Sequence, residues 1–210
     1  MHNLARPLKV VAFNGSPHKK GNTYKLVQKM FEVFHSKGIK TELVTIGNKT
    51  ISGCRDCGTC SKKKLECVIK KDIINSSIKK ILNADGVILA SPTHFAGPSG
   101  AMKCFIDRVG YVNHASRDKD YNGFLYRKVC SSIAVHRRGG ATNAHSQMNY
   151  LWSISGSIVP GSTYWNFGVG HRGVDVITDE EGLANMENLA HQMSDLMIMI
   201  KEDKLKKENK

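Results

Sequence analysis

The sequence predicts a three-layer, doubly wound α/β fold built on a five-stranded parallel sheet. Three observations carry that expectation. Apolar strand-like runs alternate with helical stripes along the whole chain, which is the element order of a parallel sheet with crossover helices. Gly86 to Ser91, reading GVILAS, is a continuous apolar run of the kind covered on both faces. Leu8 to Phe13 feeds directly into a turn of small residues and then a helix, the arrangement that opens a ligand crevice at the carboxyl ends of such strands.

The elements follow in order. After the first strand, Asn22 to Lys37 carries apolar residues at Leu26, Val27, Met30, Phe31 and Phe34, with Gly38 as a stop. Thr41 to Ile46 alternates as a second strand. Asp72 is placed to cap a helix over Ile73 to Asn83 whose inward side holds Ile74, Ile78, Ile81 and Leu82. Gly86 to Ser91 is the third strand, Ser99 to Val109 a helix, Val129 to His136 the fourth strand, and Ala141 to Ser155 a helix. Ile158 to Tyr164 reads as the fifth strand. A long amphipathic helix then turns Leu183, Met186, Leu189, Ala190, Met193, Leu196, Met197 and Ile200 inward. There is no repeat and no linker, so residues 1–200 form a single domain with a cysteine-rich insertion at about 47–72, and the charged stretch 201–210 is a frayed tail.

The 210 residues suffice for one sizeable core. The start MHNLARPLKV has no apolar leader and Leu196 to Ile200 is too short to cross a bilayer, so a cytoplasmic protein away from membranes is expected. In that compartment six cysteines read as metal ligands, reactive thiols or core residues rather than disulfides. The net charge of +13 raises nucleic-acid binding, but the basic residues are scattered, Lys62 to Lys64 and Arg137-Arg138 among them, without interleaved aromatic residues. Solubility, or attraction of acidic redox partners and phosphorylated cofactors, accounts for the charge better.

The first loop wants a phosphate. Between strand and helix lie Gly15, Ser16, Pro17, Gly21, Asn22 and Thr23. Glycines allow close backbone approach, Ser16 and Thr23 bring hydroxyls, and the helix N-terminus supplies free N–H groups and positive potential. A triphosphate loop is excluded, because five residues separate the glycines and Asn22 stands where the lysine belongs. The dinucleotide fingerprint is absent as well. An ordinary strand-to-helix turn is the plain alternative. GSP followed by GNT closely resembles the phosphate loop of flavodoxin-like FMN proteins, specifically the NADPH-dependent FMN reductase and iron–sulfur flavoprotein families. The resemblance implies that Ser16, Asn22 and Thr23 hold the FMN phosphate.

Two further loops should meet the first. After the third strand, Pro92, Thr93, His94 and Phe95 precede Ala96-Gly97-Pro98 and a helix with Lys103, Phe105, Asp107 and Arg108. This resembles the family segment SP-x-Y followed by K-x-F-x-DR, with His94 where many members carry tyrosine. Here Thr93, His94 and Phe95 offer polar groups and a flat apolar surface for a planar ring. The fourth strand ends in His136, Arg137, Arg138, Gly139 and Gly140. The paired glycines permit close approach, and either arginine suits the ring's electron-rich edge or a nicotinamide cofactor's phosphate.

The long connection after the second strand contains Cys54, Cys57, Cys60 and Cys67, spaced C-x2-C-x2-C-x6-C. Four thiolates so close suit a soft metal centre, and the spacing resembles the compact [4Fe–4S] motif of iron–sulfur flavoproteins. Zinc, a redox disulfide and a metal-free loop remain open on the same residues. Cys104 and Cys130 read as small core residues.

The resemblance implies an FMN-dependent oxidoreductase. It would be an NAD(P)H-dependent reductase, or an electron-transfer protein relaying electrons between flavin, a [4Fe–4S] cluster and a ferredoxin-like carrier. Homodimers or homotetramers are the family's assemblies, with Trp152, Tyr164 and Trp165 read equally as interface aromatics or as core residues. No side chain is assigned a proton-transfer role, because FMN carries the chemistry. A basic zinc- or nucleic-acid-binding module without redox activity is the alternative.

Overall fold

The computed structural model describes residues 6–63 and 65–208. The leader reading of Met1–Ala5, the last lysine of Lys62 to Lys64 and the end of the tail, Asn209-Lys210, fall outside them. Five strands make the parallel sheet: β1 (Lys9–Asn14), β2 (Lys40–Thr45), β3 (Gly86–His94), β5 (Val129–His136) and β6 (Phe167–Val169), in the order β2-β1-β3-β5-β6. A two-residue strand, β4 (Gly97–Pro98), folds back antiparallel on the end of β3. The chain leaves β1 toward β2 and returns to β3 on the other side, so the order reverses between β1 and β3. That is where a doubly wound sheet opens a crevice. The fold is flavodoxin-like α/β.

Side chains of β1 alternate between two cores. Val11 and Phe13 pack on the side of α3 (Ile74–Leu82), α4 (Gly100–Ala115) and α5 (Ala141–Ile154). Val10 and Ala12 pack on the side of α1 (Asn22–Ser36) and α6 (Glu180–Glu208). The central strands are fully buried because both faces are covered, and each large side chain so enclosed contributes roughly 1.5–3 kcal/mol. The stripe Leu26, Val27, Met30, Phe31 and Phe34 is buried as its spacing requires. α1 ends where Gly38 takes φ +69°, with Gly38 N–H donating to His35 O and Ile39 N–H to Phe34 O, a left-handed stop that glycine adopts at least cost.

Two expectations need correction. The fifth strand is Phe167–Val169, not Ile158 to Tyr164. Ile158 makes one bridge to Val129, and the chain then leaves the sheet at Pro160, which has no N–H to donate. Ser162, Thr163 and Tyr164 bond Asn185 of α6 instead, and pairing resumes where Ala134 N–H meets Asn166 O. The charged stretch after Ile200 does not fray over its described part: α6 continues through Glu208, supported by Lys207 to Asp203 one turn apart and by Lys201 Nζ on Arg6 O. Trp152 is core, 1% exposed with its indole N–H on Ser132 Oγ, whereas Tyr164 and Trp165 are exposed. Cys130 is buried, which pushes its thiol up to about 12, and Cys104 is half-buried. Among the described residues no helix is long and apolar enough to cross a membrane.

Candidate functional site

The strand ends converge on a crevice of about 640 Å³. Ser16, Gly21, Asn22 and Thr23 come from the β1–α1 loop, Pro92, Thr93 and His94 from the end of β3, and His136 and Arg137 from the end of β5. The rest of the anticipated set stands apart. Pro17, Arg138 and Gly139 are exposed outside the lining, and Gly140 is spent on packing: at φ +83° its added Cβ would lie 2.9 Å from Ala96 Cα. Phe95 and Ala96 form the two-residue turn between β3 and β4 with φ +48° and +59°, and Phe95 is fully exposed at its tip. Both central residues of such a turn need positive φ, a cost that non-glycine residues bear here.

The first loop is held rigidly from below. Gly15 N–H donates to Ala90 O at 2.7 Å, Ser99 Oγ donates to Gly15 O at 2.8 Å, and Ser16 N–H donates to Asn14 Oδ1 at 2.9 Å. Gly47, just after β2, lies so close under Gly15 and Ser16 that a Cβ would collide with their backbone. α1 begins behind this loop with no side-chain cap and no acidic residue in its first turn. Its first N–H groups are therefore available at the crevice floor, with the helix dipole adding positive potential.

A fourth loop completes the wall: Gly170, His171 and Arg172, after β6. Sequence reasoning missed it because the fifth strand was set too early. The glycine-punctuated run Gly168-Val169-Gly170-His171-Arg172-Gly173 is the signal that marks it. Asn22 anchors this loop: its Nδ2 donates to Val174 O at 3.0 Å, its Oδ1 accepts from Val176 N–H at 3.2 Å, and Lys25 pairs with Asp175. The Asn22 amide is thus a strut between two loops, and what it offers an anion is its backbone N–H.

The lining holds two arginines and four histidines, His18, His94, His136 and His171, and no carboxylate among the described residues. Two buried polar atoms in it, Thr93 Oγ1 and His136 Nδ1, have no partner within the protein. Buried polar atoms seldom go unpaired, so these mark positions where a ligand's polar groups belong. Their pairing with an anion-seeking helix terminus fits a ligand that has a phosphate at one end and hydrogen-bonding ring atoms at the other.

The four cysteines gather at a second place, a small pocket against α4 lined also by Arg108, Tyr111 and Val112. A short helix, α2 (Thr59–Lys62), starts there after Gly58 at φ +64°. Cys54 and Cys57 are exposed, while Cys60 and Cys67 are half-buried. Hydrogen bonds from the Thr59 side chain and then its backbone hold the Cys57 thiol below its usual range. Burial, then the neighbouring Cys54, Cys57 and Cys67 sulfurs, raise that of Cys60. Arg108, with a wholly buried side chain, pairs with Asp72 and reaches Cys67 Sγ at 3.3 Å. Among the described residues no three His, Cys, Asp or Glu side chains stand at metal-ligating distance from one common point. Four thiols thus line one pocket without converging on a common point.

A flavodoxin-like sheet with an anion-seeking crevice at its reversal point defines the class: a flavodoxin-like α/β protein with a ligand crevice at its strand ends. Residues 8–172 match the NADPH-dependent FMN reductase family, and the chain belongs to it. It is 32% identical to an iron–sulfur flavoprotein of Methanocaldococcus jannaschii over 92% of this chain and 100% of that one. It is 38% identical to an iron–sulfur flavoprotein of Archaeoglobus fulgidus over 77% of this chain and 70% of that one. Among solved structures, RosB with a bound flavin-phosphate intermediate superposes with a TM-score of 0.73 at 18% identity, covering 93% and 81% of the two chains. A WrbA-like flavodoxin of Agrobacterium tumefaciens superposes at 0.59 and 15%, covering 90% and 99%.

Proposed function

We propose that the chain is an FMN-dependent oxidoreductase that takes electrons from NAD(P)H or a reduced carrier and passes them on through a [4Fe–4S] cluster held by Cys54, Cys57, Cys60 and Cys67. The observation that carries the flavin reading is the uncapped, acid-free start of α1 opening into the same crevice as the orphaned Thr93 Oγ1 and His136 Nδ1. Backbone N–H groups of Asn22 and Thr23 with the Ser16 hydroxyl take the phosphate, and Thr93, His94 and His136 take the ring's polar edge. FMN supplies hydride and single-electron chemistry when bound. The protein's own task is to bind, to orient and to keep the ring partly out of water, so no side chain need transfer a proton. Arg137 and Arg172 at the rim suit the phosphates of a nicotinamide cofactor.

The names of the M. jannaschii and A. fulgidus relatives support the cluster reading, as does the gathering of four thiols about one pocket. A ferredoxin-like carrier as partner and a homodimer or homotetramer as assembly belong to the same proposal. The zinc- or nucleic-acid-binding alternative finds no support in the family match.

Fluorescence titration tests the flavin reading. FMN should bind at least about 100-fold more tightly than riboflavin, since losing a phosphate held by several charge-assisted hydrogen bonds costs on the order of 3 kcal/mol. Equal affinities would remove the phosphate loop from the site. Iron and sulfide analysis after anaerobic reconstitution tests the cluster, and stoichiometric zinc with no sulfide would refute it.

A further inference from the structure

Of the four cysteines, Cys67 alone is fixed, among the described residues, by side chains reaching it from outside its loop. Its backbone N–H donates to Asn75 Oδ1 at 2.8 Å, and its carbonyl accepts from Asn75 Nδ2 at 2.9 Å. Its sulfur accepts from Arg108 Nη2 at 3.3 Å. The same guanidinium donates to Ile69 O at 3.0 Å and Ser52 O at 3.4 Å and pairs with Asp72. It therefore ties both ends of the cysteine loop to the middle of α4. Cys54 accepts only a local N–H from Asp56, and Cys60 makes one long contact to Tyr111 O.

A guanidinium wholly removed from water needs its charge balanced. Asp72, itself nearly buried, meets half of its fork, and the other half faces a sulfur. An N–H donor on a cluster ligand draws electron density from the sulfur and makes the reduced, more negative cluster easier to form. The nearby carboxylate opposes that effect by Coulomb repulsion, strengthened by the dry surroundings.

We infer that Arg108 is a positioning residue for the metal centre: with Asn75 it sets Cys67 in place before a cluster is assembled, and with Asp72 it fixes the reduction potential of that cluster. The inference rests on the cluster reading above. Cys67 is the fixed post, and Cys54, Cys57 and Cys60 close on it from the exposed side of the pocket.

Spectroelectrochemical titration of the FMN-loaded, anaerobically reconstituted protein tests this, following cluster and flavin bands separately. Asp72→Asn keeps the acceptor oxygen that caps Ile74 N–H and removes the opposing charge, so the cluster midpoint should rise. Adding Arg108→Gln to Asp72→Asn removes the guanidinium without stranding a buried carboxylate, and the midpoint should fall below that of Asp72→Asn. The flavin midpoint should stay put in both. A cluster midpoint that does not move, that moves the same way at each step, or that moves only together with the flavin overturns the inference. Asp72→Asn leaves the buried guanidinium unbalanced, so should either variant fail to fold, Arg108→Lys decides: it keeps a cation beside Asp72 but withdraws the fork from Cys67 Sγ. A lower cluster midpoint with the flavin midpoint unchanged supports the assignment, and no change or a rise overturns it. Failure of the unmodified protein to take up iron and sulfide is a different result, which removes the cluster reading and this inference with it.

Discussion

Gly47 shows how much a hydrogen atom can matter. A Cβ there would strike the carbonyls of Gly15 and Ser16, which are backbone atoms pinned by Ala90, Ser99 and Asn14 and unable to give way. Gly47→Ala should weaken FMN binding by roughly tenfold or more and lower stability by about 1–3 kcal/mol, measured by flavin fluorescence and thermal melting. Gly161→Ala, in open space, serves as the neutral control. Asn22 offers a second residue-level check. Asn22→Ala removes two ties to the 174–176 segment, each worth about 1 kcal/mol, so FMN affinity should drop about tenfold while the crevice's other walls stay in place. The position of the first loop was readable because a run of glycine, serine and proline between an apolar strand and a helical stripe marks a strand-to-helix turn. The role of the Asn22 amide was not, because its partners lie more than 150 positions away.

At the level of elements, the first four strands of the parallel sheet and the helices between them followed from apolar spacing, since a buried face must repeat with the period of its element. The fifth strand did not, because Ile158 to Tyr164 has strand composition but a proline at its middle, and the competing bonds to Asn185 are long-range. β5 begins beside a charge that folding strains. Lys128 Nζ is mostly buried against Ala84 O, and burial brings its pKa down to about 8 from an ordinary 10.5. The unfolded chain thus holds this proton more tightly than the folded one. The charged lysine opposes folding fully below pH 8, and stability is regained as pH rises from about 8 toward 10.5. Lys128→Met should therefore raise stability at pH 7 by on the order of 2–3 kcal/mol, with the gain shrinking toward pH 10 in denaturant titrations. The cysteine-rich connection is tied to α4 through Arg108 but lies outside the flavin crevice. Removing the proposed cluster should leave flavin absorbance and the main melting transition in place, while trypsin cleavage after Arg55 and Lys62, both exposed, quickens by about tenfold.

The molecule as a whole carries +13, and both crevice and pocket lie under that field. An acidic carrier protein would be steered by it, so its second-order rate of electron transfer should fall about tenfold between roughly 20 and 200 mM salt, whereas transfer from a neutral viologen should change little. The crevice and the cysteine pocket are also joined mechanically. Ser99, which caps α4, bonds the Gly15 carbonyl, and Arg108, two and a half turns further along the same helix, grips Cys67. One rod of peptide is thus a ruler with a notch at each end, its span of about 14 Å set by counting nine residues at 1.5 Å apiece. A single residue inserted between them would swing one notch about 100° out of line with the other, so the tally of residues on that rod is a dimension this protein has little freedom to change.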